Sequence, residues 1–194
     1  TSKDDIRQIL KEAFEIANSG EKGPVVIVLP RNILESKYSQ KVLKDLHKKK
    51  SQPINEIDID RTIKLIDAAK KPLILLGGGA VNSVDKIKEL VLKTNIPVIS
   101  TLMGIGTYPS KEELYIGMIG INGNQIANNA VEDADLIIAL GVSFSDRSTC
   151  RRQDFASNAK IVNVNTKKVL LGHEVEICAD ADEFLNNLLL LYNC

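Results

Sequence analysis

The sequence is short of the residue types on which most site chemistry rests. Aromatic residues make up 4% of its 194 positions, tryptophan is absent, and there are only two histidines, two methionines and three cysteines. His47 and His173 are too few nitrogen donors for a zinc site, and Cys150, Cys178 and Cys194 show no CxxC spacing. The same cysteines define no disulfide framework, which fits a reducing, cytoplasmic setting. Charge of one sign is missing too: Lys plus Arg and Asp plus Glu number 25 each, for a formal net charge of zero. No nucleic-acid partner is expected from that balance, since phosphate binding draws on a basic excess. The run His47-Lys48-Lys49-Lys50 has no interleaved aromatics and reads as a solvated linker face. No apolar run approaches the ~20 residues of a membrane span, and the opening Thr1-Ser2-Lys3-Asp4-Asp5 has no signal-peptide core. No membrane partner is expected.

Catalytic signatures are absent in the same way. There is no G-x-x-x-x-G-K-[ST] and no H-E-x-x-H, and neither histidine sits in a strand-end loop suited to a Ser-His-Asp arrangement. Carboxylates are plentiful but fall mostly on helix faces, where solvation accounts for them. No catalytic residue and no metal ligand is expected.

What the chain does have is 44% apolar residues arranged in an alternation. Ile6, Ile9, Leu10, Ala13, Phe14 and Ala17 keep helical spacing over 3–18. Val25–Leu29 is an uninterrupted apolar run, the pattern of a strand buried on both faces. From about 35 to 57 the chain is polar and Lys-rich, with some helical character around Val42–Leu46. Then strands at 73–76, 97–100, 115–118, 136–140, 161–164 and 175–177 alternate with helical segments. Asp60, Ser83 and Asp182 are the expected caps of three of those helices, the second with apolar positions Ile87, Leu90, Val91 and Leu92. Such alternation means right-handed βαβ units: an α/β fold, a doubly wound parallel sheet with helices on both faces. Residues 58–194 are expected to form that domain, and 1–34 are too few to form one alone.

In such sheets ligands bind beyond the carboxyl ends of the strands. Gly77, Gly78 and Gly79 follow the first strand, where glycines let backbone N–H groups approach a phosphate or ribose. The triplet is not G-x-G-x-x-G, and the second strand ends in Ser100-Thr101 without an acidic residue, which counts against an NAD site. Thr101–Gly106, Gly117–Gly123 and Gly141–Arg147 are further glycine-punctuated loops at strand ends. Asp146 beside Arg147 is equally readable as a surface ion pair, and Met103 and Met118 as core filling. Asn163-Val164-Asn165 closes the next strand and suits the edge of an adenine or ribose.

These segments resemble acetolactate synthase catalytic subunits. Gly77–Ser83, Ile96-Pro97-Val98, Thr101–Gly106, Gly117–Gly120, Ala127-Asn128, Ala130-Val131, Ala134-Asp135-Leu136, Gly141–Arg147 and Phe155-Ala156-Ser157 occur there in the same order. Gly23–Pro30 resembles the last strand of that family's preceding domain. The resemblance implies a Rossmann-like middle domain at 58–194, a linker at 35–57, and the tail of a pyrimidine-binding domain at 1–34. It implies an enzyme that condenses two pyruvates, or pyruvate and 2-ketobutyrate, with thiamine diphosphate and Mg²⁺. The groups that serve those two cofactors belong to the first and third domains, so this chain is expected to be an inactive fragment. Expected partners are the remaining domains of the polypeptide, further copies in a homo-oligomer, and a regulatory subunit.

By the same resemblance the middle domain holds FAD without a net redox role. The positions carried over are Gly77, Gly78, Gly79, Thr101, Leu102, Met103, Met118, Ile119, Gly120, Ile121, Gly141, Val142, Asp146 and Arg147. Asn163, Val164 and Asn165 would lie by the adenosine, with Asp180 beyond the penultimate helix. The chain departs from the family pattern at Asn122 (histidine in relatives), Ser143 (arginine), Ser145 (aspartate), Asn163 and Asn165 (aspartates) and Lys168 (acidic). Those losses of charged donors and acceptors leave a ligand-free scaffolding domain of a related thiamine-diphosphate enzyme as the alternative. A deacylase of similar topology would need a catalytic histidine and a zinc cluster, and is not expected.

Finally, Val25–Leu29 cut from its own sheet is an association hazard. It is expected to be covered by the rest of the chain or by a second copy.

Overall fold

Strands covered on both faces need apolar side chains in succession, and Leu73–Leu76 and Leu136–Leu140 supply them. In the computed structural model, which describes residues 6–19, 22–36, 53–150, 154–168 and 174–192, these runs form the centre of a six-stranded parallel sheet. The chain divides into two compact units between Ser51 and Gln52. In the second unit β1 (Pro72–Leu76), β2 (Val98–Ser100), β3 (Tyr115–Met118), β4 (Leu136–Leu140), β5 (Lys160–Asn165) and β6 (Val175–Cys178) lie in the order β3-β2-β1-β4-β5-β6. Leu76 pairs with Ser100 on one side and Leu140 on the other, and Leu140 with Val164, so these carboxyl ends are level. The expected doubly wound α/β fold is the one observed.

Helices cover both faces. Counting from the chain start, α1 (Ile6–Asn18) and α2 (Arg31–Leu34) belong to the first unit. On one face of the sheet, α3 (Glu56–Ala68), α4 (Val84–Thr94) and α7 (Ala181–Leu191) bury Ile59, Ile66, Ile87, Leu90, Phe184 and Leu188 against Ile74, Leu76, Ile138 and Val164. On the other, α5 (Gln125–Asp133) packs Ala127 and Val131 on the face of Leu75, Ile99, Ile137 and Ala139. A short α6 (Asp146–Thr149) follows β4.

Several local expectations need correction. α3 is capped by Asn55, whose side chain accepts from the Ile57 amide, and Asp60 lies inside the helix. α7 is capped by Asp180, and Asp182 sits in its first turn. Ser83 does precede α4, but its side chain makes no capping hydrogen bond: its backbone, at φ −110° and ψ 22°, lies outside the extended region a cap adopts. Leu92 points to solvent from α4, one position off the apolar stripe. The helical character expected at 42–46 lies outside the described residues, as do His47, His173, Cys194 and the basic run. Among the described residues no helix is long and apolar enough to cross a membrane, and no group of His, Cys, Asp or Glu is placed to hold a metal.

In the first unit α1 and the extended stretch before α2 enclose an open apolar groove of about 560 Å³, lined by Ile9, Ala13, Ile27 and Ile33 among others. Val25–Leu29 is extended but pairs with no strand among the described residues, contrary to the expected buried strand. Val26 and Val28 are 85% and 82% exposed, so the described chain does not cover them. The physical reason is plain: an apolar run specifies burial, but a ladder needs a partner backbone.

At the amino edge of the sheet, Asp135 ties the start of β4 to the turn before β1. Its carboxylate accepts from the amides of Lys70 (2.7 Å) and Lys71 (2.9 Å), and its own carbonyl accepts from Lys160. Desolvation pushes this carboxyl up, but the Lys70 and Lys71 amides, its own amide and the Lys70 charge outweigh it and hold it below 3.8. A depressed folded value stabilises the fold above the unfolded value, and the gain is lost as pH falls through the folded one. Asp135→Asn is therefore expected to lower the urea midpoint at neutral pH, with the gap to wild type closing below pH 3.8. A gap that does not change with pH would show that ionisation of Asp135 contributes nothing.

Candidate functional site

The strand order reverses between β1 and β4, so the loops leaving their carboxyl ends diverge and open a crevice. Gly77–Gly79 leave β1 there and Gly141-Val142 leave β4. Their first task is to pass each other. The Gly77 amide donates to the Leu140 carbonyl (2.9 Å) and the Gly79 amide to the Gly141 carbonyl (3.0 Å). A Cβ on Gly79 would lie 2.7 Å from the Gly141 Cα, and one on Gly77 would strike the Gly141 carbonyl. Close approach to a ligand was expected of all three glycines; two of the three amides are engaged by the end of β4 and the residue after it instead. Gly78 is different. Its amide is outside those loop bonds, and a Cβ there would meet only Met103, at 3.1 Å.

The exit of β2 folds over the end of β1. The Thr101 amide donates to the Leu76 carbonyl (2.9 Å), and Gly104 passes so close to that carbonyl that a Cβ would strike it. Thr101 is thereby buried, while Leu102 and Met103 stand 67% and 76% exposed. At the exit of β3, Ile119 is buried, Met118 half-buried, and Ile121 exposed beyond Gly120. The Ile121 amide donates to the Arg147 carbonyl (3.0 Å), joining this loop to α6.

After β4, Val142 and Phe144 turn inward and Ser143 and Ser145 outward. Phe144 is fully buried, edge-on to Phe155 with ring centroids 5.9 Å apart. Asp146 and Arg147 open α6 on the surface, and no ion pair joins them: the Arg147 guanidinium has none among the described residues.

At β5 the expectation fails in part. Asn163 is fully buried between Ala139 and Glu176 of the flanking strands, and neither end of its amide has a hydrogen-bond partner. It cannot reach an adenine or ribose, and Val164 is equally enclosed. Asn165 is half-buried and donates its Nδ2 to the Val142 carbonyl (2.8 Å), which leaves Oδ1 as an acceptor. Asp180 accepts the Asp182 amide through Oδ1 (2.9 Å) as the cap of α7. Sequence reasoning missed Phe144, Asn124 and Asn128 as supports of these loops. The Asn124 Oδ1 accepts from Ala127 (2.6 Å) and its Nδ2 donates to the Ile116 carbonyl (3.1 Å). Two asparagines four apart after a glycine loop were the available signal.

Among the described residues the edge thus presents the Gly78 amide, the Arg147 guanidinium, exposed apolar side chains and the acceptor oxygens of Asn165 and Asp180. It holds no nucleophile hydrogen-bonded to a base among the described residues. This is the equipment of a binding site on a parallel α/β domain.

Comparison with known proteins places that domain. The family described as the central domain of thiamine pyrophosphate enzymes matches residues 59–188. Acetolactate synthase, chloroplastic, of Arabidopsis thaliana is 38% identical over 186 residues, 91% of this chain and 28% of its own length. Acetolactate synthase 2, chloroplastic, of Nicotiana tabacum is 38% identical over 198 residues, 95% of this chain and 29% of its own. The acetolactate synthase isozyme 1 large subunit of Escherichia coli K12 is 34% identical over 191 residues, 96% of this chain and 34% of its own. The chain belongs to the thiamine pyrophosphate enzyme family, as its central domain, and spans about a third or less of these relatives' length.

Proposed function

We propose that this chain supplies the nucleotide-holding central domain of a cytoplasmic acetolactate synthase-like enzyme that joins pyruvate to pyruvate or 2-ketobutyrate. In this reading residues 1–34 close a preceding pyrimidine-binding domain, 35–57 link, and 58–194 form the central domain. The bare stretch Val25–Leu29 completes the sheet of that preceding domain. Thiamine diphosphate with Mg²⁺ supplies the carbon–carbon chemistry when bound. Among the described residues the strand-end loops carry no carboxylate cluster for that metal, and in this reading the chain is inactive without the other domains. The remaining domains, further copies of the subunit and a regulatory subunit are its partners.

The observation that carries the reading is the gathering of Gly78 against Met103, and of Ile121 against Arg147, on loops that leave the carboxyl ends of β1, β2, β3 and β4. FAD suits this donor set. Gly78 N–H and the Arg147 guanidinium match a diphosphate, Leu102, Met103 and Ile121 match a flat ring, and Asn165 Oδ1 with the second Asp180 oxygen match ribose hydroxyls. Titration of the full chain with FAD and with ADP, read by calorimetry and flavin fluorescence, tests it. Saturable binding in the micromolar range is expected, and Arg147→Ala should weaken it about 10- to 100-fold, the loss of one charge-assisted hydrogen bond. No binding at millimolar FAD by a folded chain overturns the reading.

One set of observations favours a second reading, a ligand-free scaffold. Asn163 is sealed in the sheet, Asn165 is partly committed to Val142, and two of the three glycine amides serve the fold. Under that reading both titrations fail while stability is normal.

A further inference from the structure

We infer that Asn128 is a positioning residue for Arg147, acting through one peptide of the β3–α5 loop; the inference rests on the nucleotide-site reading. Asn128 sits inside α5, where asparagine is a poor helix former unless its amide is used elsewhere. Here both ends are used on a single residue. The Asn128 Oδ1 accepts the Gly120 amide (2.9 Å), and its Nδ2 donates to the Gly120 carbonyl (3.1 Å). That pair of bonds fixes Gly120 in position and in rotation.

Gly120 in turn faces α6. Its φ is +102°, and a Cβ there would strike the Arg147 carbonyl and lie 3.0 Å from the Ser148 Cα. The next amide, that of Ile121, donates to that same Arg147 carbonyl (3.0 Å). A chain of three hydrogen bonds therefore begins at a helix side chain and ends on the backbone of Arg147, whose guanidinium has no ion pair among the described residues. α6 is a single turn, too short to set the direction of Arg147 by itself. Its internal bonds, from the Ser148 and Thr149 amides to Ser145, close that turn but do not anchor it to the sheet. The bond from Ile121 does. Asn128 reaches the ligand only through Arg147, which separates its role from that of a residue touching the nucleotide.

Hydrogen exchange on the full chain, with and without Asn128→Ala, tests the relay without any ligand. Exchange of the Ile121 amide and of the 145–149 amides should quicken about tenfold or more, as expected for lost bonds of ordinary strength, while β1 and β4 amides keep their rates. Faster exchange confined to 118–124 overturns the inference. If Asn128→Ala does not fold, Asn128→Asp replaces it: an ionised carboxylate still accepts from Gly120 but cannot donate back, so a partial loss at 145–149 is expected. A double-mutant cycle with FAD or ADP gives a readout that a merely structural role would not move. Arg147→Ala and Asn128→Ala together should bind no more weakly than Arg147→Ala alone. Additive losses overturn the relay. Failure of the wild type to bind either nucleotide sinks the site reading, and the exchange experiment still decides the relay.

Discussion

Gly77→Ala should cost about 3 kcal/mol or more of stability, near the upper end for overpacking. Backbone conformation is not the reason, because φ −108° and ψ −179° suit any residue. Contact is the reason. The new Cβ would meet the carbonyl of Gly141 and lie 2.7 Å from the Val142 Cα. Both are backbone atoms, so no rotamer change relieves them. Nor can the strands draw apart, since their register is fixed from Pro72 opposite Leu136 to Leu76 opposite Leu140. Separation would also break the bonds from Gly77 to Leu140 and from Gly79 to Gly141, each worth about 1 kcal/mol. Gly106→Ala is the control: its φ is +87°, with nothing within 4 Å of the added atom. That variant should lose only the conformational cost, about 1–2 kcal/mol. Urea titrations of the two decide the matter, and equal losses would mean that the crossing of β1 and β4 exits has slack.

Phe144→Ala should cost about 3–5 kcal/mol, the range for a large aromatic removed from a core. Phe144 is fully enclosed in the cluster that contains Ala139, Val142 and Ala156, with the Phe155 ring edge-on at an interplanar angle of 79°. Its φ is +48°, a left-handed conformation uncommon for a bulky residue, so packing of the ring holds the backbone in a costly shape. Truncation removes the anchor and lets the loop relax. Two measurements check this: the urea midpoint, and the rate of proteolytic cleavage within 141–150. A large stability loss without faster cleavage there would show that Phe144 supports the core but not the loop. Phe144→Leu, which keeps much of the volume, should lose less than half as much as Phe144→Ala if filling, and not ring stacking, dominates.

The sheet was legible because its strands are continuous apolar runs separated by helical spacing, and both signals are local. Caps were less legible for the opposite reason. Asn55 and Asp60, or Asp180 and Asp182, are equally good acceptors, and only the path of the chain chooses between them. Val25–Leu29 carried a strand's composition, but composition does not contain a neighbour. In the site, strand-end loops could be located from glycines and hydroxyls. What those glycines meet could not. The contact between Gly79 and Gly141 joins distant segments and answers a packing need that imitates a ligand cradle in sequence. Asn163 failed similarly, because position within a strand says nothing of how deeply that strand lies between two others.

The pairing of β1 with β4 also sets an order of events as the chain is made. β1 emerges with β2 and β3 to one side, and its other edge must wait for residues 136–140. Until then Leu73, Leu75 and Leu76 border an open ladder with nothing to close it. A nascent chain stopped after β3 is therefore not a smaller version of the fold but an adhesive half-sheet. The first half of this domain depends on the second arriving, because only residues 136–140 close the free edge of β1.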